Sequence, residues 1–167
     1  MKITAVIPAK GNSERIKGKN RKLLGDKPLV AWTIEFANLL YKEKLIDKII
    51  LSTNDKEIEQ IGKLYGKKDI TILKRDKSLC KDDVTNYDVV RKIAANLTNY
   101  DYILLLQPTS PFRKTETVKK AISENISEID MENKSWWLMN SFYINKGLNW
   151  EYMDCHYYAF KSHELPD

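Results

Sequence analysis

The segment Tyr102–Gln107, YILLLQ, is the strongest constraint on what this chain can fold into. It is nearly all apolar, and Pro108 to Pro111 breaks it. Such a run is expected of a central parallel strand covered on both faces, which demands helices above and below the sheet. The preceding hundred residues supply the matching parts in alternation. Ile3–Pro8 reads as a buried strand ended by Pro8. Pro28–Glu43 reads as a helix, with proline in its first turn and Leu29, Trp32, Ile34, Phe36, Leu39 and Leu40 as its apolar face. Lys48–Thr53 is a second strand. Asp55 through Tyr65 is a helix, with Asn54 as its expected N-cap and Gly66 as its expected C′ residue. Ile70–Leu73 is a short strand, Thr85–Leu97 a helix with Asp82 or Asp83 near its start, and Thr115–Asn125 a further helix. This βαβα order predicts an α/β protein, a three-layer sandwich around a mainly parallel sheet.

From about Ser127 the text changes. Trp136, Trp137, Phe142, Tyr143, Trp150, Tyr152, Tyr157, Tyr158 and Phe160 crowd together and helical periodicity fades, so short strands and loops are expected. Two uses of these aromatics stand side by side: a homodimer contact, since interface cores favour Tyr and Trp, or an aromatic cap on the sheet.

Charge is concentrated in one place. Residues 10–27 hold seven cations against two anions, while the rest of the chain balances. The whole excess of +5 therefore sits in the loop after the first strand. In an open α/β sheet that is where ligands bind, and clustered cations there point to a polyphosphate. Within the loop, Gly11, Asn12 and Ser13 let backbone amides approach an anion closely. Lys10, Arg15 and Lys19 can neutralise phosphate oxygens. The spacing is not that of a Walker A loop: six residues separate Gly11 from Gly18, and Asn20 follows Lys19.

Other classes fit poorly. A pI near 9.0 raises nucleic acid, but the charge is focal and no basic helix or aromatic RNA-binding signature accompanies it. No apolar run approaches the ~20 residues that span a bilayer, and MKITAVIPAK is too short in apolar residues for a signal peptide. Cys80 and Cys155 make no disulfide framework and fit a reducing cytoplasm. Cys155, His156 and His163 lack zinc spacing, and no Gly-x-Ser-x-Gly elbow is present.

Four stretches together resemble one family. IPAKGNSERIKGKNRKLLGDKPLVAWTIEFA, LSTND (51–55), KRDKSLCKDD (74–83) and LLLQPTSPFR (104–113) occur in the order and spacing of the acylneuraminate cytidylyltransferases. The resemblance is good over residues 1–123 and looser over 124–167. It implies a Rossmann-like three-layer αβα nucleotidyltransferase fold, with 1–126 as a nucleotide-binding core and 127–167 as a shortened, aromatic-rich extension. It also implies a cytoplasmic enzyme that joins CTP to a nine-carbon 2-keto sugar acid and releases pyrophosphate.

By motif, the resemblance implies that Ala9, Lys10, Gly11, Ser13, Arg15, Lys19 and Asn20 hold the triphosphate and ribose, with Lys10, Arg15 and Lys19 as catalytic cations. Lys10 stands where the family carries arginine, keeping the charge and losing the fork. Arg75, Asp82 and Asn86 are expected beside the nucleotide or acceptor, and Gln107, Thr109 and Ser110 along the sugar pocket. Arg113 closes the last motif, where a turn cap is its other reading. For Ser52, Thr53 and Asn54, helix capping is the expected role.

The family uses Mg²⁺ held by the aspartates of a D-I-D motif, and no such motif occurs here. SHELPD (162–167) resembles a family segment that precedes a further strand, so the chain is expected to correspond to the first two-thirds or three-quarters of such an enzyme. Loss of that strand would leave an exposed sheet edge. The acceptor reads as sialic, legionaminic or pseudaminic acid, without a choice among them. Three alternatives remain: another sugar nucleotidyltransferase, a non-catalytic CTP-binding relative without the metal motif, and a nucleic-acid binder.

Overall fold

The computed structural model describes residues 1–13, 16–66, 69–81, 83–98, 100, 102–127, 135–139, 142–145 and 159–161. In chain order the strands are β1 (Ile3–Pro8), the small hairpin β2 (Leu23–Leu24) and β3 (Lys27–Pro28), β4 (Lys48–Thr53), β5 (Ile70–Lys74), β6 (Tyr102–Leu106), β7 (Ser135–Met139), β8 (Phe142–Asn145) and β9 (Ala159–Lys161). The helices are α1 (Leu29–Lys42), α2 (Lys56–Gly66), α3 (Asn86–Ala94) and α4 (Thr115–Ser127). One sheet runs β5-β4-β1-β6-β8-β7-β9. β5, β4, β1 and β6 are parallel, and β8 joins β6 antiparallel, with Leu104 opposite Ile144.

Alternation along the central strands explains the layers. Ile3, Ala5 and Ile7 of β1 face one way, with Ile49 and Leu51 of β4 and Leu104 and Leu106 of β6. They pack against Val30, Ile34 and Leu40 of α1, Ile58 of α2, and Val118 and Ile122 of α4. Val6, Ile50, Ile103 and Leu105 face the other way, onto Val89, Val90 and Ile93 of α3. Successive residues of a strand point to opposite faces, so strands that are apolar at every position must be covered twice. All five residues of β6 are buried, as YILLL requires. The expected three-layer αβα sandwich with a mainly parallel sheet is the observed architecture.

Several local expectations shift. α3 runs over Asn86–Ala94 rather than Thr85–Leu97, and Thr85 is its N-cap. Its hydroxyl accepts from Asp88 N at 3.2 Å, and the Asp88 carboxylate accepts from Thr85 N at 2.8 Å, a complete capping box. Asp55, not Asn54, caps α2, accepting from Glu57 N and Ile58 N at 2.8 and 3.1 Å. Gly66 closes α2 from inside the helix instead of following it. β8 pairs along the edge of β6.

Candidate active site

β1 lies in the middle of the parallel strands, with β4 and β5 on one side and β6 on the other. The strand order therefore reverses between β1 and β6, and loops leaving their carboxyl ends part to open a crevice. A cleft of ≈ 230 Å³ occupies this place. Pro8 and Lys10 reach it from β1, Gln107, Pro108 and Thr109 from β6, and Arg75 from β5. Ser13, Lys19 and Asn20 enter from the loop after β1, and Val84 and Asn86 from the start of α3.

The loop after β1 is pinned from below. Ala9 is fully buried and its N–H donates to Ser52 O at 2.9 Å. Gly11 N donates to the Asn54 side-chain oxygen at 3.0 Å. A Cβ on Gly11 would lie 2.4 Å from Asp55 Oδ2 and 2.7 Å from Asp55 Cβ, so only glycine lets the loop dock on the start of α2. Further along, Gly18 at φ +65° turns the chain into a single 3-10 turn over Lys19–Arg21. Asn20, 6% exposed, points back into the loop and donates to Lys10 O at 2.9 Å. Ala9 and Gly11 thus lie under the cleft and shape its floor through their backbone.

The charge of this segment divides into two uses. Arg21 pairs with Glu57 at 2.6 Å and Asp55 at 3.5 Å, tying the loop to α2. Lys27 pairs with Glu35 of α1. Lys17 and Lys22 are exposed. Lys10 and Lys19 line the cleft, together with Arg75. Among the described residues its lining carries cations and no carboxylate, which suits an anion.

Arg75 is 6% exposed, and burial pulls its pKa below the ordinary value, partly opposed by the nearby Cys80. Its guanidinium donates to Ser52 Oγ at 3.3 Å and Ser52 O at 3.2 Å. Both bonds are with one residue at the end of β4, and they set the direction in which the remaining donors face.

The opposite wall is polar and uncharged. Asn86 Nδ2 donates to Gln107 Oε1 at 3.1 Å, bridging α3 to the end of β6. Ser110 N donates to Gln107 O at 3.2 Å, closing a turn that presents Thr109 to the cleft. Ser110 itself is not part of the cleft lining; its role in the structure is this turn. Arg15 and Asp82 fall outside the described residues.

Two features were not foreseen from sequence: Asn54 holds Gly11, and Arg21 is structural. Arg113 takes the turn-cap role that was its other reading, and it also reaches inward to α1. Burial pulls the Arg113 guanidinium down to about 10, so it remains protonated at neutral pH. It donates to Thr33 Oγ1 at 3.3 Å and to Gln107 O. The sequence signal for Arg113 was its place at the end of LQPTSPFR, but its partner Thr33 is 80 residues away.

Comparison with known proteins agrees with this geometry. Residues 4–141 match the family described as Cytidylyltransferase. The CMP-N,N'-diacetyllegionaminic acid synthase of Legionella pneumophila is 40% identical over 124 residues, covering 73% of this chain and 52% of the relative. The pseudaminic acid cytidylyltransferase of Campylobacter jejuni (strain 81-176) is 30% identical, covering 99% of this chain and 73% of the relative. The chain thus spans about half the length of the first of these relatives.

Among solved structures, a CMP:2-keto-3-deoxy-manno-octonic acid synthetase complexed with CTP superimposes with a TM-score of 0.67. It is 14% identical, over 97% of this chain and 75% of that one. Rv0371c from Mycobacterium tuberculosis, in a complex with manganese, gives 0.59 at 16% identity, over 87% of this chain and 71% of that one. At such identities the likeness is one of fold, a Rossmann-like nucleotidyltransferase fold. With the family match running from β1 into the segment between β7 and β8, the chain belongs to the cytidylyltransferase family.

Proposed function

We propose that the cleft binds CTP and a nine-carbon 2-keto sugar acid and transfers the cytidylyl group between them. The observation that carries this reading is the division of the cleft. Lys10, Lys19 and Arg75 line it with no carboxylate among the described residues, while Asn86, Gln107 and Thr109 offer neutral hydrogen-bonding groups at the end of β6. The cationic side suits a triphosphate and the neutral side suits a polyhydroxylated acid. The relatives named for legionaminate and pseudaminate support the acceptor class.

In the reaction the anomeric hydroxyl oxygen of the acid forms a bond to the α-phosphorus of CTP. The bond from that phosphorus to the bridging oxygen breaks, pyrophosphate departs with the electron pair, and the hydroxyl proton passes to solvent. Such transfers depend on positioning and charge neutralisation more than on covalent chemistry. Lys10 and Lys19 would neutralise the phosphate oxygens, with Arg15 as a third catalytic cation. Asn20 and the backbone of Ala9, Gly11 and Ser13 would hold the loop against the nucleotide, and Arg75 and Asp82 would lie beside it. Gln107 and Thr109 would orient the acid, with Ser110 closing the turn that presents them.

A divalent cation, magnesium in this reading, belongs with the triphosphate as its counter-ion. Among the described residues no three His, Cys, Asp or Glu side chains come together. These residues therefore do not form a site for it, and no step is routed through it. No helix among them is long and apolar enough to cross a membrane. We assign the reaction to the cytoplasm, with a homodimer through the aromatic-rich segment 127–167 and without nucleic acid.

The test is pyrophosphate release from CTP and Mg²⁺, with and without legionaminic, pseudaminic and N-acetylneuraminic acids. Release that requires one of these acids supports the reading. CTP binding without acceptor-dependent release by any of them would refute the transfer.

A further inference from the structure

Arg113 is the described residue whose arrangement the nucleotide cleft least explains. It lies outside the cleft, between the turn that follows β6 and the start of α4. Its side chain turns inward all the same. One terminal nitrogen donates to Thr33 Oγ1 of α1 at 3.3 Å, and the other donates to Gln107 O. The guanidinium carbon stands 5.8 Å from the centroid of the Phe36 ring, also on α1. Nε is sealed from solvent without a hydrogen-bond partner. None of the ion pairs among the described residues includes Arg113. Burial alone accounts for its lowered pKa.

A half-buried cation with no carboxylate partner gains little from its site, so stability is a poor explanation for it. What it accomplishes is geometric. Thr33 is fully buried on α1. Gln107 O is the first carbonyl beyond β6 and also receives Ser110 N. A planar guanidinium sets the separation and angle of the two groups it bridges, which the single point of a lysine ammonium does not do. Gln107 is therefore gripped at its backbone by Arg113 and at its amide by Asn86.

We propose that Arg113 is a positioning residue for the acceptor side of the cleft. It braces the Gln107–Ser110 turn against α1 and so holds the Gln107 amide and the Thr109 hydroxyl where a sugar acid would meet them. The kinetic part of this proposal rests on the cytidylyltransferase reading above; the brace itself does not.

The experiment compares the full chain with Arg113→Met, Arg113→Lys and Thr33→Val by two readouts. The first is amide hydrogen exchange across residues 105–112. The second is the KM for the sugar acid against the KM for CTP. In Arg113→Met the Ser110 amide is expected to exchange at least about tenfold faster while the β1 and β4 amides keep their protection. The acceptor KM is expected to rise about tenfold with the CTP KM within about twofold. Arg113→Lys should restore the charge without restoring either readout. Thr33→Val, which keeps the arginine and removes one anchor, should move both in the same direction by less, and it decides the matter if Arg113→Met does not fold. Unchanged or uniformly faster exchange would overturn the brace, and an equal rise in both KM values would overturn the acceptor-side role. Should the wild-type chain show no acceptor-dependent turnover, the enzymatic reading fails, and the exchange data still decide whether Arg113 braces the turn.

Discussion

Replacing Gly11 with alanine tests how the loop after β1 is seated. A Cβ there would lie 2.4, 2.7 and 3.0 Å from Oδ2, Cβ and Cγ of Asp55. The nearest carbon, Asp55 Cβ, is close to the backbone and cannot swing aside. The loop must lift, stretching the 3.0 Å bond from Gly11 N to Asn54. Overpacking of this kind costs roughly 1–3 kcal/mol, and loss of the hydrogen bond adds about 1 kcal/mol. The expected loss of stability is therefore about 2–4 kcal/mol, with CTP affinity falling at least about tenfold as Lys10 moves with the loop. All three clashing atoms belong to the Asp55 side chain, so Asp55→Gly supplies the control. Glycine at an N-cap costs only a few tenths of a kcal/mol, and Gly11→Ala should be nearly silent in that background. Urea denaturation of the four members of the cycle, with CTP titrations, measures the coupling, expected at about 1 kcal/mol or more. Equal costs of Gly11→Ala in both backgrounds would refute the docking of the loop on α2.

Other predictions separate the cations of the loop and the two walls of the cleft. Lys19→Ala should weaken CTP about ten- to a hundredfold, the loss of a hydrogen bond to a charged phosphate; unchanged affinity by calorimetry would remove Lys19 from the site. Arg21→Gln, though it removes the same charge, should leave CTP affinity within about threefold and cost at most about 1 kcal/mol of stability. A CTP defect as large as that of Lys19→Ala would mean that Arg21 contacts ligand. Gln107→Ala should raise the KM for the sugar acid more than that for CTP, and equal rises in steady-state kinetics would make the residue structural. Asp76 is held below its ordinary value of 3.8 by bonds from the Ser78 backbone and side chain. Its stabilisation is therefore present above pH 3.8 and lost as pH falls through its lower native value. Asp76→Asn should flatten acid denaturation in that window, and identical acid profiles would contradict the assignment.

Much of the frame was legible because strand identity here is written locally. β1 and β4 have the bounds that Ile3–Pro8 and Lys48–Thr53 suggested, since apolar, β-branched runs between polar breaks admit few readings. Caps were harder, because neighbouring residues compete for one role. Asp55 took the cap expected of Asn54, which left the Asn54 amide free to hold Gly11. Thr85 took that of α3 because Asp88, three residues on, completes a reciprocal pair. Lys10, Ser13, Lys19, Asn20, Arg75, Gln107 and Thr109 lie far apart in sequence and line one cleft. What local sequence could not show are contacts that depend on strand order. Asn86 meets Gln107 across 21 residues, Gly11 meets Asn54 across 43, and Arg113 meets Thr33 across 80. The same limit applies to charge. The surplus of the 10–27 segment looks uniform in sequence, yet Arg21 and Lys27 are spent on carboxylates of α2 and α1.

The central claim is that the crevice between the ends of β1 and β6 binds CTP. The most direct measurement is a CTP titration followed by amide resonances, with ATP and GTP in parallel. The account predicts that CTP binds in preference to the purine nucleotides. It also predicts that the largest shifts fall at Gly11, Lys19, Asn20, Asn86 and Gln107, and that they vanish in Lys19→Ala. Shifts concentrated elsewhere, as in the groove between α1 and α2 beside Leu39 and Leu64, or indifference to CTP at millimolar concentration, would contradict it.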